Sequence, residues 1–178
     1  MAASRIRQEF QDLNDNPLVT MGISVALVNN NLFEWRCTML GPSDSSYKNG
    51  LFYLSIKFDE NYPNSKPNVK FITPIYHVNI NSVESPCYKL GHICISTLND
   101  WNDINSSSTI RQVLLDIWAL FHAGNPDSPF SGVQASEMKN NRNLFEQKIQ
   151  YFTKKYADIS LPFKEYNSWD FTYTPLLV

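Results

Sequence analysis

Apolar positions change period twice along the chain. From Ser4 onward, Ile6, Phe10 and Leu13 recur at i, i+4 and i+7, the spacing of an amphipathic helix. Arg5, Arg7, Glu9 and Asp12 fall on its polar face, and Pro17 stops it. The period then drops to two. Ile23, Val25 and Leu27 alternate, "NNN" at 29–31 marks a turn, and Phe33, Trp35, Cys37 and Met39 alternate again up to Gly41-Pro42. Phe52, Leu54, Ile56 and Phe58 form a third alternation, and Val69 and Phe71 a short fourth between Pro67 and Pro74. Consecutive strands on short loops predict a four-stranded antiparallel meander with one face buried.

From Pro74 to about Ser108 the pattern is irregular, and a stretch of that length inside a domain is usually functional. Ser108 is the expected cap of a strongly apolar helix, "TIRQVLLDIWALF", over 109–121. Two more helical patterns follow, at about 133–139 and 141–156. A helix, four strands, a long loop and three helices predict an α+β domain.

Composition adjusts this picture only slightly. A chain of 178 residues, 43% hydrophobic, suits one domain with a sizeable core. Its formal net charge of −2 leaves no basic footprint for nucleic acid, and no apolar run suggests a membrane span. The N-terminal stretch lacks the apolar centre of a signal peptide, and three cysteines, an odd number, argue against a disulfide scaffold. The expected setting is cytoplasmic or nuclear.

The chemistry concentrates in "CYKLGHIC" at 87–94. Structural zinc needs four ligands in close pairs, and no second cluster accompanies Cys87, His92 and Cys94, so no metal is expected. A Cys87–Cys94 disulfide fits a loop of this size but not a reducing compartment. A nucleophile remains, flanked by Ile93 and Ile95 as in a short extended segment. Periodicity alone leaves it level with an inert, half-buried cysteine, and the spacing leaves the part played by His92 open.

Beyond the residues themselves, the stretch from Ser4 to Ala157 resembles the ubiquitin-conjugating enzymes. "FEWRCTMLGPSDSSYKNGLFYLSIKFDENYPNSKPNVKF" is similar to the family's strand core, "YHVNI" to its His-Pro-Asn tripeptide, "GHICISTL..W" to its active-site cysteine segment and "NPDSPF" to the turn after the helix. The resemblance implies that Cys94 accepts the modifier's C-terminal glycine as a thioester. It implies that Asn79 supports the oxyanion or holds the loop around it, and that His77 is structural. Trp101 and the pair Tyr62-Pro63 would pack around the cleft, and Asp127 would be a turn-former beside Pro126. Arg5 and Arg7 would lie on the helix that meets the activating enzyme. Tyr62, Asn64, Asn102 and Ile104 would lie on the ligase-docking side. The partners implied are ubiquitin or a ubiquitin-like modifier, its activating enzyme and a ligase. No cofactor is implied, and a monomer is expected.

Several positions depart from that pattern. Val78 replaces the tripeptide's proline, and "SVESPCYKLG" adds about seven residues before Cys94, by comparison with the family's tight turn. Ser96 stands where lysine-active members often have aspartate, and Ser128 where aspartate or serine is common; acidic groups there help position and deprotonate an incoming lysine, which leaves Asp127 as the nearby acid. Asn64 replaces an apolar aromatic, and Asn102-Asp103-Ile104 replaces a Ser-Pro-Ala-like turn, so a restricted or different set of ligases is expected. "NNRNLFEQKIQ" is similar to carriers of ubiquitin-like modifiers, whereas "LGPSDSSYKNG" and "FTKKYA" lean toward ubiquitin. A non-catalytic ubiquitin-binding variant is the competing class, and Cys94 with Asn79 argues against it. The domain is expected over 1–157. The extension 158–178, with Phe163, Tyr166, Trp169, Phe171 and Tyr173, is expected to pack back on the domain or on a partner.

Overall fold

The alternating segments become a four-stranded antiparallel sheet in the order β1-β2-β3-β4, seen in a computed structural model that describes residues 2–101 and 108–174. The strands are β1 (Ile23–Val28), β2 (Asn31–Leu40), β3 (Leu51–Lys57) and β4 (Asn68–Phe71). Asn29 and Asn30 turn β1 into β2, both at positive φ (50° and 58°), the turn geometry that matches strand twist. Register sets Trp35 opposite Ile56, Cys37 opposite Leu54 and Met39 opposite Phe52, while Leu54 and Ile56 face Phe71 and Val69. A period of two gathers these side chains on one face, and all of them are buried. Cys37 is part of this layer, where burial pushes its thiol up to about 12, so it packs as a small apolar group.

Helices cover the buried face. They are α1 (Ala2–Asp15), a single turn α2 (Ser96–Asn99), α3 (Ile110–Leu120), α4 (Gly132–Asn140) and α5 (Arg142–Ala157). Ile110, Val113, Leu114 and Ile117 of α3 are buried, and Phe121 just after it packs on Phe52 with centroids 5.3 Å apart. The cap of α3 is Thr109, not Ser108 as expected: the Thr109 hydroxyl accepts from the Gln112 N–H at 3.2 Å.

Glu9 is a second correction, since the polar face of α1 does not hold it. The helical period sets it between Ile6 and Leu13, and it is buried with them. Its carboxylate is fully partnered there, accepting from Arg5 Nε (2.5 Å), the Tyr62 hydroxyl (2.7 Å) and the Ile110 N–H (2.7 Å). It therefore joins α1 to the first turn of α3 and to the loop after β3, which offsets the desolvation of a buried charge.

The tail, as far as it is described, folds back on the domain. Phe171 meets Tyr76 and Phe152 at 5.2 and 4.8 Å between centroids, and Tyr173 meets Tyr151 at 5.3 Å. The Tyr156 hydroxyl donates to the Asp170 carbonyl at 2.6 Å. Further along the sheet's outer face, Arg36 lies 4.4 Å over the Phe163 ring and pairs with Glu165 at 3.2 Å. No helix among the described residues is long and apolar enough to cross a membrane.

Candidate active site

The segment carrying Cys94 is positioned by backbone pairing. Residues 79–81 and 91–94 run antiparallel: the Cys94 N–H donates to the Asn79 carbonyl (3.0 Å), the Asn81 N–H to the His92 carbonyl (2.8 Å) and the Gly91 N–H to the Asn81 carbonyl (2.8 Å). The Phe71 N–H donates to the Gly91 carbonyl (2.9 Å), which fastens the ladder to the edge of β4. At Gly91 φ is +78°, and a built Cβ would lie 2.0 Å from the Phe71 carbonyl oxygen, so only glycine fits the approach. Ile93 and Ile95 are buried, and the strand-like alternation turns Cys94 the other way, where it is half-buried.

Residues 82–90 form the end loop of this ladder. Asn81 closes the loop from within, its side-chain amide donating to the carbonyls of Val83 (2.6 Å) and Lys89 (3.0 Å). Glu84 and Lys89 pair at 2.9 Å across it. Tyr88 folds onto His92 and Phe130, with centroids 5.3 and 5.1 Å away, forming an aromatic wall that continues from the loop to the turn after α3. Partial burial lowers the His92 imidazole from its ordinary value, with Lys66 adding to the effect. Cys87 is exposed on the same loop, and all three cysteines are free thiols.

Asn79 is almost fully buried, and its amide is committed to the facing turn. Nδ2 donates to the carbonyls of Asn125 (2.9 Å) and Ser128 (3.0 Å), and Oδ1 accepts from the Asn125 N–H (2.6 Å). His77 lies behind it. Its Nδ1 accepts from the Asn79 N–H (3.0 Å), so Nε2 carries the hydrogen and donates to the Leu120 carbonyl (2.9 Å). Burial pushes the imidazole down to about 4, so it stays neutral and serves as a spacer between two backbone segments. Val78, in place of proline, is buried, and its carbonyl accepts from the Phe130 N–H at 2.9 Å.

Two polar side chains reach the sulfur among the described residues. Ser128 Oγ lies 4.0 Å from Cys94 Sγ, and Asn99 Nδ2 lies 3.5 Å from it. Ser96 is exposed at the start of α2. Asp127 is exposed, its N–H closes a turn onto Asn125 Oδ1 (2.9 Å), and its carboxylate pairs with Lys139 at 2.6 Å. Asn99 was no candidate in the sequence. The signal lies in its distance from Cys94: once 96–99 coils into a helical turn, residue 99 comes back over residue 94.

The docking candidates divide. Tyr62 is 2% exposed, with its hydroxyl on Glu9 and its ring against Trp101, so it cannot be a direct ligase contact; it holds the loop that presents Asn64, which is exposed. Trp101 is buried and donates from Nε1 to the Pro63 carbonyl at 2.8 Å, which pins that loop to the end of α2. Asn102 and Ile104 lie outside the described residues. On α1, Arg7 is exposed, whereas Arg5 is engaged by Glu9 and by the Ser108 carbonyl (3.3 Å), an engagement that raises its basicity through the Glu9 hydrogen bond. Among the described residues no group of three or more His, Cys, Asp or Glu side chains is arranged to hold a metal ion.

Against known proteins, the family model "Ubiquitin-conjugating enzyme" matches residues 5–153. The chain is 39% identical over 159 residues to the Drosophila melanogaster protein "Ubiquitin-conjugating enzyme E2-22 kDa", covering 88% of this chain and 75% of that one. It is 35% identical over 156 residues to "Ubiquitin-conjugating enzyme E2 14" of Schizosaccharomyces pombe, covering 88% and 94% of the two chains. With "Ubiquitin-conjugating enzyme E2 K" of Homo sapiens it shares 37% identity over 168 residues, 93% of this chain and 80% of the other. The matched span contains the whole sheet, the ladder that sets Cys94 and the turn that Asn79 holds, and the chain belongs to the ubiquitin-conjugating enzyme family.

Proposed function

We propose that Cys94 is the thioester-forming residue of this transferase and that its cargo is ubiquitin. The observation that carries this reading is the placement of Cys94: it is held in register by Asn79, turned outward between two buried isoleucines and only half-buried itself. In loading, the Cys94 thiolate attacks the carbonyl of the modifier's C-terminal glycine on the activating enzyme, and the enzyme's own thiolate leaves. In discharge, an amine or a second thiol attacks the same carbonyl, and Cys94 sulfur leaves as thiolate. Sulfur suits both steps, being a strong nucleophile and a competent leaving group. The names of the relatives support ubiquitin as cargo.

The groups beside the sulfur bear on who receives the cargo. Ser96 and Ser128 are neutral, the Asp127 carboxylate is paired with Lys139, and the side chains that reach the sulfur among the described residues, Ser128 and Asn99, include no carboxylate. This supports transfer to a ligase thiol, or to a lysine whose positioning the ligase supplies. Arg7 is the free cation for the activating enzyme on α1, and Asn64 marks a polar ligase-facing loop. A monomer acting in the cytoplasm or nucleus completes the reading. Charging tests it: activating enzyme, ATP and ubiquitin are incubated with the wild type, Cys94→Ala and Cys87→Ala and read on a non-reducing gel. A thiol-sensitive adduct missing only in Cys94→Ala is expected. A parallel set with ubiquitin-like modifiers and their own activating enzymes would reassign the cargo if one of them charged instead.

A further inference from the structure

The Asn79 amide bonds the 125–128 turn through both its nitrogen and its oxygen. The sulfur itself has a different partner. Asn99 Nδ2 lies 3.5 Å from Cys94 Sγ, and its position is set by the packing of α2 rather than by chance exposure. Thr97 and Leu98 are buried on the inner side of that turn, and the Thr97 hydroxyl donates to the Asp116 carboxylate on α3. The Asn99 N–H donates to the Ile95 carbonyl at 3.0 Å. With two neighbours anchored inward and its own backbone fixed, the Asn99 side chain is directed back over residue 94. Its nitrogen end, the only end that can donate, faces the sulfur.

We propose that Asn99 is a catalytic residue whose carboxamide N–H stabilises the Cys94 thiolate, both as attacking nucleophile and as leaving group. The proposal rests on the reading of Cys94 as the thioester carrier. A neutral amide beside sulfur gains little while the thiol or thioester is uncharged. It gains most when sulfur carries a full negative charge, so in discharge it eases departure of sulfur without holding the neutral thioester, and in loading it raises the fraction of thiolate. In discharge the amine nitrogen forms its bond to the glycine carbonyl carbon, and the carbon–sulfur bond breaks with its electron pair going to Sγ. The Asn99 N–H then bonds to that thiolate. The amine proton passes to solvent base, because a carboxamide cannot accept it, and no oxidant or reductant is involved. Ser128 Oγ, at 4.0 Å, is the more distant second donor.

Two measurements on the full chain in a Cys87→Ser background, where Cys94 is the accessible thiol, test this. Iodoacetamide alkylation followed by intact mass reads the thiolate without any modifier, so it remains informative even if the cargo assignment fails. Asn99→Ala is expected to slow alkylation at pH 7 by about 3- to 10-fold and Asn99→Asp by more, with the gap closing in strongly alkaline buffer where the thiol is ionised throughout. Single-turnover discharge of purified thioester onto free cysteine or lysine should slow by about the same factor, with the final extent of charging unchanged. Asn99 is exposed, so melting temperatures should match the wild type and exclude misfolding. Alkylation and discharge within twofold of wild type in Asn99→Ala would overturn the proposal. A failure to charge with normal alkylation differences would instead remove the cargo reading and leave Asn99 as the thiolate's partner.

Discussion

Removing the Asn79 side chain separates its two candidate roles. Asn79→Ala deletes three hydrogen bonds at once, from Nδ2 to the Asn125 and Ser128 carbonyls and from the Asn125 N–H to Oδ1. A typical hydrogen bond contributes about 1 kcal/mol net, and a buried group left without a partner costs about 1 to 3 kcal/mol. Asn125, Asp127 and Ser128 are exposed, so water re-solvates much of what the turn loses. The expected total is about 2 to 4 kcal/mol, a fall in melting temperature of roughly 5 to 12 °C for a domain of this size. Asn79→Asp should be no better, since it keeps the acceptor for Asn125 but turns a carboxylate toward two carbonyls. Thermal unfolding by circular dichroism, beside single-turnover discharge, provides both readouts. A melting temperature within about 2 °C of wild type, with discharge slowed a hundredfold or more, would refute the clamp and restore a purely oxyanion role.

Acid should weaken the fold through His77. Its folded-state value of about 4 lies below the ordinary 6.5, so the unfolded chain binds the extra proton first, and stability falls as pH drops from 6.5 toward 4. Denaturant melts at pH 7 and pH 5 should differ by about 2 kcal/mol from this group, and a His77→Gln variant should lose that part of the slope. Gly91→Ala should lose charging with a drop in melting temperature, because its Cβ meets the Phe71 carbonyl and its φ disfavours a side chain. Normal charging in that variant would mean that the ladder below Cys94 tolerates displacement. Truncation after residue 158 removes the packing of Phe171 and Tyr173, and should lower the melting temperature by roughly 5 to 10 °C. Limited proteolysis that trims the intact tail at every site without delay would contradict its docking.

Much of the sheet was legible because its signal is local. Trp35, Cys37 and Met39 alternate in sequence and share one buried face in space, which a period of two dictates. The helices after residue 109 announced themselves by apolar content, and their bounds moved by a residue or two. Long-range partnerships were not legible. Glu9 reads as polar surface until Ile110 and Tyr62 are brought against it, and Arg5 reads as a docking cation until Glu9 claims it. Tyr62 carries two expectations, a packing residue and a ligase contact, and its burial fits the first and not the second. At the site, Cys94 stood out only through the family resemblance, since alternation around Ile93 and Ile95 fits an inert thiol equally well. Asn99 escaped notice because a single helical turn inside an irregular stretch has too few residues to show a period.

The most direct measurement is the chemistry of the bond at residue 94. Wild type and Cys94→Ser are each charged with ubiquitin, treated separately with thiol reductant and with mild hydroxide, and mapped by mass spectrometry. With Cys94 as the carrier, the wild type should give an adduct on Cys94 that both treatments release, and the serine variant a slower-forming adduct that resists reductant and yields to hydroxide, as an oxygen ester should. A reductant-labile adduct that persists in Cys94→Ser, mapped to Cys87 or elsewhere, would contradict that role.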